Sequence, residues 1–119
     1  MFAQALEPLG LRPAHFGVLR LIGADPGLTQ QELAQRTLID PSSMVAVLDE
    51  LAELGYAERR PDAADRRKHA IHLTSEGERI LERAQAVATD ITKEVLAPLD
   101  PGEVKELRRL LRKLAGVEG

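Results

Sequence analysis

The 119-residue sequence predicts a mainly α chain with one small β-hairpin, and three observations carry that prediction. Apolar residues recur at helical spacing in successive stretches, helix-start signals stand in front of them, and only residues 57–74 change to strand-like segments around a polar turn. Composition agrees, since 44% of residues are hydrophobic but only 3% aromatic, so the core must rest on Leu, Ile, Val and Ala.

The elements follow in order. Pro13 precedes Phe16, Leu19 and Ile22, flanked by Val18 and Leu21, which marks a support helix ending near Asp25-Pro26-Gly27. Thr29 and Glu32 have the three-residue spacing of a capping box, so a short helix is expected over Gln30–Arg36. Asp40-Pro41 sets an N-cap and a proline at the first helical position, Met44, Val47, Leu48, Leu51 and Leu54 mark one buried face, and Gly55 ends the helix. Ala57–Arg60 then reads as a strand and Pro61–Arg67 as a polar turn. His69–Thr74 reads as a second strand with Ile71 and Leu73 on one face. Ser75 with Glu78 predicts another capping box ahead of the stripe Ile80, Ala84, Val87, Ile91 and Val95, which Pro98 terminates. Asp100-Pro101 with Glu103 opens a last helix carrying Val104, Leu107, Leu111 and Leu114, with Leu110 at the edge.

Several function classes fall away on composition. Without cysteine there is no disulfide, thiolate metal site or thiol redox chemistry. No apolar run approaches the roughly 20 residues of a membrane span, and Met1-Phe2-Ala3-Gln4 lacks a signal-peptide pattern, so a soluble, cytoplasmic protein is expected. No nucleophile, base and orienting group share a suggestive spacing and no glycine-rich phosphate loop occurs, so neither an enzyme nor a cofactor is expected. The formal charge of −3 argues weakly against nucleic acid, but residues 59–72 hold Arg59, Arg60, Arg66, Arg67 and Lys68 against only Asp62 and Asp65.

Two linked helices followed at once by a basic hairpin have the order of a winged helix-turn-helix, here over residues 28–74. In that arrangement the second helix enters the major groove, and its outward positions are Pro41, Ser42, Val45, Ala46 and Asp49, with Ser43 near the start. Ser42, Ser43 and the backbone N–H groups suit a phosphate, while Val45 and Ala46 suit thymine methyls, so direct base readout is modest. An arginine at the hairpin tip suits the narrow minor groove of A·T-rich DNA, and Asp65, two residues before Arg67, is placed to brace it.

These residues resemble the MarR (multiple antibiotic resistance regulator) family of transcription factors. The resemblance runs through Leu28-Thr29-Gln30-Gln31-Glu32-Leu33-Ala34, Asp40-Pro41-Ser42-Ser43-Met44-Val45, residues 51–60, the Asp62–Lys68 segment and Leu73-Thr74-Ser75-Glu76-Gly77. It implies a single domain over 1–119, a winged helix-turn-helix flanked by dimerisation helices at 1–12 and 75–119, with the support helix at 13–27. It further implies a homodimeric repressor that reads an inverted repeat in double-stranded DNA, with half-sites ~34–36 Å apart. Candidate DNA contacts are Thr29, Gln30, Ser42, Ser43, Val45, Ala46, Arg66, Arg67 and Lys68, with Asp65 and Arg59 supporting the wing. Relatives are released by small aromatic anions or other lipophilic ligands, which places a pocket wall at His15, Phe16 and Leu19. Against the family pattern, the segment Met1–Leu9 is short and Ala46 stands where a longer polar or basic residue is usual.

Two other readings stay open at this level. The acids Asp49, Glu50 and Glu53 on the second helix would suit a winged-helix module that binds protein rather than DNA. A metal-responsive regulator would use His69 and His72, although a separation of three on a strand points them to opposite faces and no metal site is assigned. His15 reads equally as solvent-facing or as a polar pocket group. The cations Lys105, Arg108, Arg109, Arg112 and Lys113 read as the solvated face of an amphipathic dimer helix.

Overall fold

A computed structural model describes residues 2–116. The chain divides into two compact units, Met1–Val87 and Ala88–Gly119, with the boundary inside a long helix. The expected terminal segments include Met1 and residues 117–119, which lie outside the described residues.

The first unit contains α1 (Phe2–Leu6), a 3₁₀ turn (Glu7–Leu9), α2 (Pro13–Ala24), α3 (Gln30–Gln35), α4 (Pro41–Glu53), the strands β1 (Ala57–Pro61) and β2 (His69–Leu73), and the start of α5 (Ser75–Leu96). Its centre is aliphatic, with Leu6, Val18, Leu19, Ile22, Leu33, Met44, Leu48, Leu51 and Ile71 fully buried. The two phenylalanines sit together, the Phe2 and Phe16 rings meeting edge to face at 5.2 Å, and the Arg20 guanidinium lies 5.7 Å from the Phe16 centroid.

Helix α4 ends in a Schellman motif. Gly55 N–H donates to Ala52 O at 3.0 Å and Tyr56 N–H to Leu51 O at 2.9 Å, which requires the left-handed φ of +82° at Gly55. The chain emerges directly into β1, which pairs antiparallel with β2 in the register Ala57↔Leu73, Arg59↔Ile71 and Pro61↔His69. The alternation expected in β2 is altered by a neighbour from far back in the sequence. Residues 27–29 run along its free edge, with Ile71 N–H donating to Leu28 O at 2.8 Å and Gly27 N–H to Ile71 O at 3.1 Å, plus a bridge from Thr29 to Ala70. Ala70 and Ile71 are therefore both buried, and Leu73 is only half-buried.

The start of α5 corrects the capping box expected from Ser75 and Glu78. Thr74 is the cap, since its Oγ1 accepts from Gly77 N–H at 2.9 Å and donates to Gly55 O at 2.6 Å, while its own N–H donates to Tyr56 O at 3.1 Å. Ser75 becomes the first helical residue. The position where a capping-box glutamate would stand is Gly77, and a Cβ there would lie 1.9 Å from the Tyr56 carbonyl oxygen.

The second unit holds the rest of α5 and α6 (Pro101–Leu114), joined by a turn through Pro98. Here the expected capping box forms, with Glu103 N–H donating to Asp100 Oδ1 at 2.8 Å and Asp100 N–H to Glu103 Oε1 at 3.0 Å. Leu110, Leu111 and Leu114 of α6 are exposed, as is Val95 of α5. Among the described residues no helix is long and apolar enough to cross a membrane.

Candidate nucleic-acid interface

Helix α4 is amphipathic because Met44, Val47, Leu48 and Leu51 recur at three- and four-residue steps and enter the core. The opposite face leaves Ser42, Ser43, Val45, Ala46 and Asp49 exposed. Asp40 orders its start, accepting at Oδ1 from Ser43 N–H (3.0 Å) and at Oδ2 from Ser43 Oγ (2.8 Å). The Ser43 N–H foremost, then its hydroxyl, hold the Asp40 carboxyl below its ordinary pKa. The Ser43 hydroxyl donates into the cap, so Ser42 is the serine whose hydroxyl faces solvent at this helix start.

Thr29 and Glu32 form the expected box at the start of α3. Glu32 N–H donates to Thr29 Oγ1 at 3.2 Å, and Thr29 donates from N–H and Oγ1 to Glu32 Oε1 at 3.2 and 3.0 Å. These bonds, the backbone one foremost, lower the Glu32 pKa. Thr29 is buried with its hydroxyl both donating and accepting, which gives it a structural part at the position where a DNA contact is expected. Gln30, half-exposed, shares a cleft of about 380 Å³ with Gln31, Ala34, Gln35 and Pro41, so the starts of α3 and α4 open on one side.

The hairpin tip is ordered locally. Asp62 N–H donates to Lys68 O at 2.9 Å and Lys68 N–H to Asp65 O at 3.0 Å. Asp65 Oδ1 then accepts both Arg67 N–H (3.1 Å) and Arg67 Nε (3.2 Å), and these bonds, the backbone one first, lower the Asp65 pKa. Because the carboxylate takes Nε, the two terminal nitrogens point outward, and the Arg67 side chain is 92% exposed. Arg66 and Lys68 are exposed beside it.

Below the tip the cations are paired. Arg60 binds Glu58 within β1, and Arg59 Nη2 reaches across to Asp49 Oδ1 of α4 at 2.7 Å. Arg59 thus joins the wing to the exposed face of the second helix, through a partner ten residues away that its sequence neighbourhood does not suggest.

A second tie has no counterpart among the sequence expectations. Glu50 binds the Arg12 guanidinium and meets His15 Nε2 at 2.6 Å, while His15 Nδ1 accepts Arg12 N–H at 3.0 Å. Since Nδ1 accepts, Nε2 carries the hydrogen and donates to Glu50. His15 first and Arg12 second lower the Glu50 pKa. The available signal was Glu50's place three residues after Val47, on the flank of the buried stripe of α4. Asp49 and Glu50 are therefore consumed within the protomer, which weakens the reading of α4 as an acidic surface for a protein partner.

His15, Phe16 and Leu19 are buried as packing and bonding groups in the protomer. A cleft of about 530 Å³ opens elsewhere along α2, among Arg20, Gly23, Arg60, His72, Leu81 and Gln85. His69 is exposed and His72 half-buried, and among the described residues no three His, Cys, Asp or Glu side chains gather as a metal site would require.

Residues 9–68 match the family model described as the MarR family. The chain is 36% identical over 112 residues to the HTH-type transcriptional repressor Rv2887 of Mycobacterium tuberculosis, an alignment covering 94% of this chain and 81% of that one. Among solved structures, the transcriptional repressor CouR bound to a 23-mer DNA duplex superposes with a TM-score of 0.87 at 34% identity, covering 96% of this chain and 81% of that chain. Wild-type apo MarR from E. coli superposes with a TM-score of 0.85 at 32% identity, covering 95% and 84% respectively.

Proposed function

The chain belongs to the MarR family, and from that premise we propose that it is a transcriptional repressor that binds double-stranded DNA as a homodimer at an inverted repeat. The observation that carries the reading is Arg67, 92% exposed and held by Asp65 through Nε so that its terminal nitrogens project from the wing. An arginine presented in this way suits the negative potential of a narrow, A·T-rich minor groove. With Asp49 and Arg59 in contact, the wing lies beside the exposed face of α4, so both elements are available to one duplex.

Within this reading α4 lies in the major groove. Ser42, through its hydroxyl and its N–H, binds phosphate, aided by the helix dipole, and Val45 and Ala46 meet thymine methyls. Lacking long donors, these positions discriminate modestly, so affinity depends on the wing. Gln30, Arg66 and Lys68 add backbone contacts. Homodimer formation is supported by the exposed apolar residues Val95, Leu110, Leu111 and Leu114, which need a covering surface. Two wings related by a two-fold axis then read half-sites ~34–36 Å apart.

Release by a small aromatic or lipophilic anion completes the proposal. Its support is the 530 Å³ cleft, where Arg20, Arg60 and His72 stand near the apolar Leu73 and Leu81. The packed cluster His15, Phe16 and Leu19 does not supply that space within the protomer.

The test is an anisotropy titration of a duplex carrying the gene's own promoter. Affinity falls steeply with salt, and Arg67→Ala weakens binding by about 1–3 kcal/mol, roughly 5- to 150-fold. Unchanged binding by the variant removes the wing from the mechanism, and absence of binding by the wild-type protein at low salt overturns the proposal.

A further inference from the structure

Asp49 occupies an unfavourable place for a DNA-reading helix. It stands on the exposed face of α4, one turn beyond Val45 and Ala46, where a free carboxylate would repel phosphate. The structure answers that charge with Arg59, whose Nη2 lies 2.7 Å from Asp49 Oδ1. The arginine side chain is 31% exposed and the aspartate 61%, so the ion pair faces solvent rather than the core. The tip is different. Arg67 is held through Nε alone, and among the described residues Arg66 and Lys68 have no carboxylate within salt-bridge distance.

From this contrast we propose that Asp49 masks Arg59: its carboxylate takes the place a DNA phosphate would occupy on the guanidinium, and so sets the sequence-independent part of the affinity. The inference rests on the DNA-binding reading above. A closed pair presents no net charge to the duplex at the third turn of α4. Opening it from either side exposes a charge, positive if Asp49 is removed and negative if Arg59 is removed. The two substitutions therefore act in opposite directions, whereas a pair serving only to tie wing to helix is damaged alike from both sides.

The experiment compares wild type, D49N, R59Q and the double variant, full length, by anisotropy against a promoter duplex and a scrambled duplex of the same composition over a salt series. D49N is expected to tighten binding to both duplexes at low salt and to steepen the slope of log K against log salt by about 0.9 for each protomer engaged, the signature of one added phosphate contact. R59Q weakens both, and adding D49N to it recovers part of the loss. Circular-dichroism melting checks that each variant is folded, and Asp49→Ser, which also removes the charge, is judged by the same criterion should D49N fold poorly. An unchanged slope, or weakening by D49N as by R59Q, overturns the mask and leaves the pair as a structural tie. Failure of the wild-type protein to bind either duplex instead refutes the DNA-binding reading, and the mask falls with it.

Discussion

Gly77→Ala is expected to be severely destabilising, although alanine is the better helix former. An added Cβ would lie 1.9 Å from Tyr56 O, 2.8 Å from Tyr56 C and 3.2 Å from Tyr56 Cα. These are backbone atoms, so no rotamer change relieves the overlap. The start of α5 must move by on the order of 1 Å to reach ordinary van der Waals separation. That movement strains the Thr74 joint, where bonds of 2.6, 2.9 and 3.1 Å link Gly55, Gly77 and Tyr56. Overpacking costs about 1–3 kcal/mol and each weakened hydrogen bond about 1 kcal/mol, against a helix-propensity gain of about 1 kcal/mol. With three such bonds the net is a loss of about 3–5 kcal/mol, or on the order of 10 °C in Tm. Gly17→Ala supplies the control of opposite sign. Gly17 is exposed inside α2 and an added Cβ there would meet nothing within 4 Å, so its substitution should stabilise by about 0.5–1 kcal/mol. Urea denaturation at one protein concentration measures both. A Gly77→Ala midpoint equal to or above wild type would refute the close-approach argument.

Asp65→Asn keeps every cation of the wing but weakens the brace on Arg67, so promoter affinity should fall less than in Arg67→Ala while the salt slope changes little; equal losses would mean Asp65 does more than position its neighbour. The folded-state pKa of Glu50 is depressed, so the stability it contributes is present above the ordinary carboxylate value and is lost as pH falls through the depressed one. Urea midpoints should therefore show Glu50→Gln less stable than wild type near neutrality, with the gap closing below roughly pH 4; a gap constant with pH would remove the carboxylate charge from the explanation. Leu111→Glu places a charge on the exposed apolar face of α6 and should shift the protein toward monomer in sedimentation equilibrium with helical content retained. An unaltered mass distribution would take that face out of the proposed dimer.

The features legible in the amino-acid sequence are those whose partners lie within a few residues. Thr29 with Glu32, Asp40 with Pro41, Asp100 with Glu103 and Asp65 with Arg67 are local because a short side chain reaches the backbone two or three residues on, whatever packs outside. Helical spacing of aliphatic residues identified α2, α4, α5 and α6 for the same reason, and their order with the hairpin was enough for a winged helix-turn-helix. Only the folded chain decided what meets across distance. The pairing of residues 27–29 with the edge of β2, the Arg12–His15–Glu50 tie and the Asp49–Arg59 bond join residues 10 to more than 40 positions apart, and no local periodicity encodes them. The cap of α5 falls between the two cases. Ser75 with Glu78 is a valid local signal, but the Gly55 and Tyr56 carbonyls hold Thr74 in place and admit only glycine at 77, so tertiary contact moves the helix start by one residue. At the wing, the bracing of Arg67 was written in the local sequence, while the pairing of Arg59 with Asp49 depended on how α4 and β1 pack, because an ion pair needs two surfaces brought together.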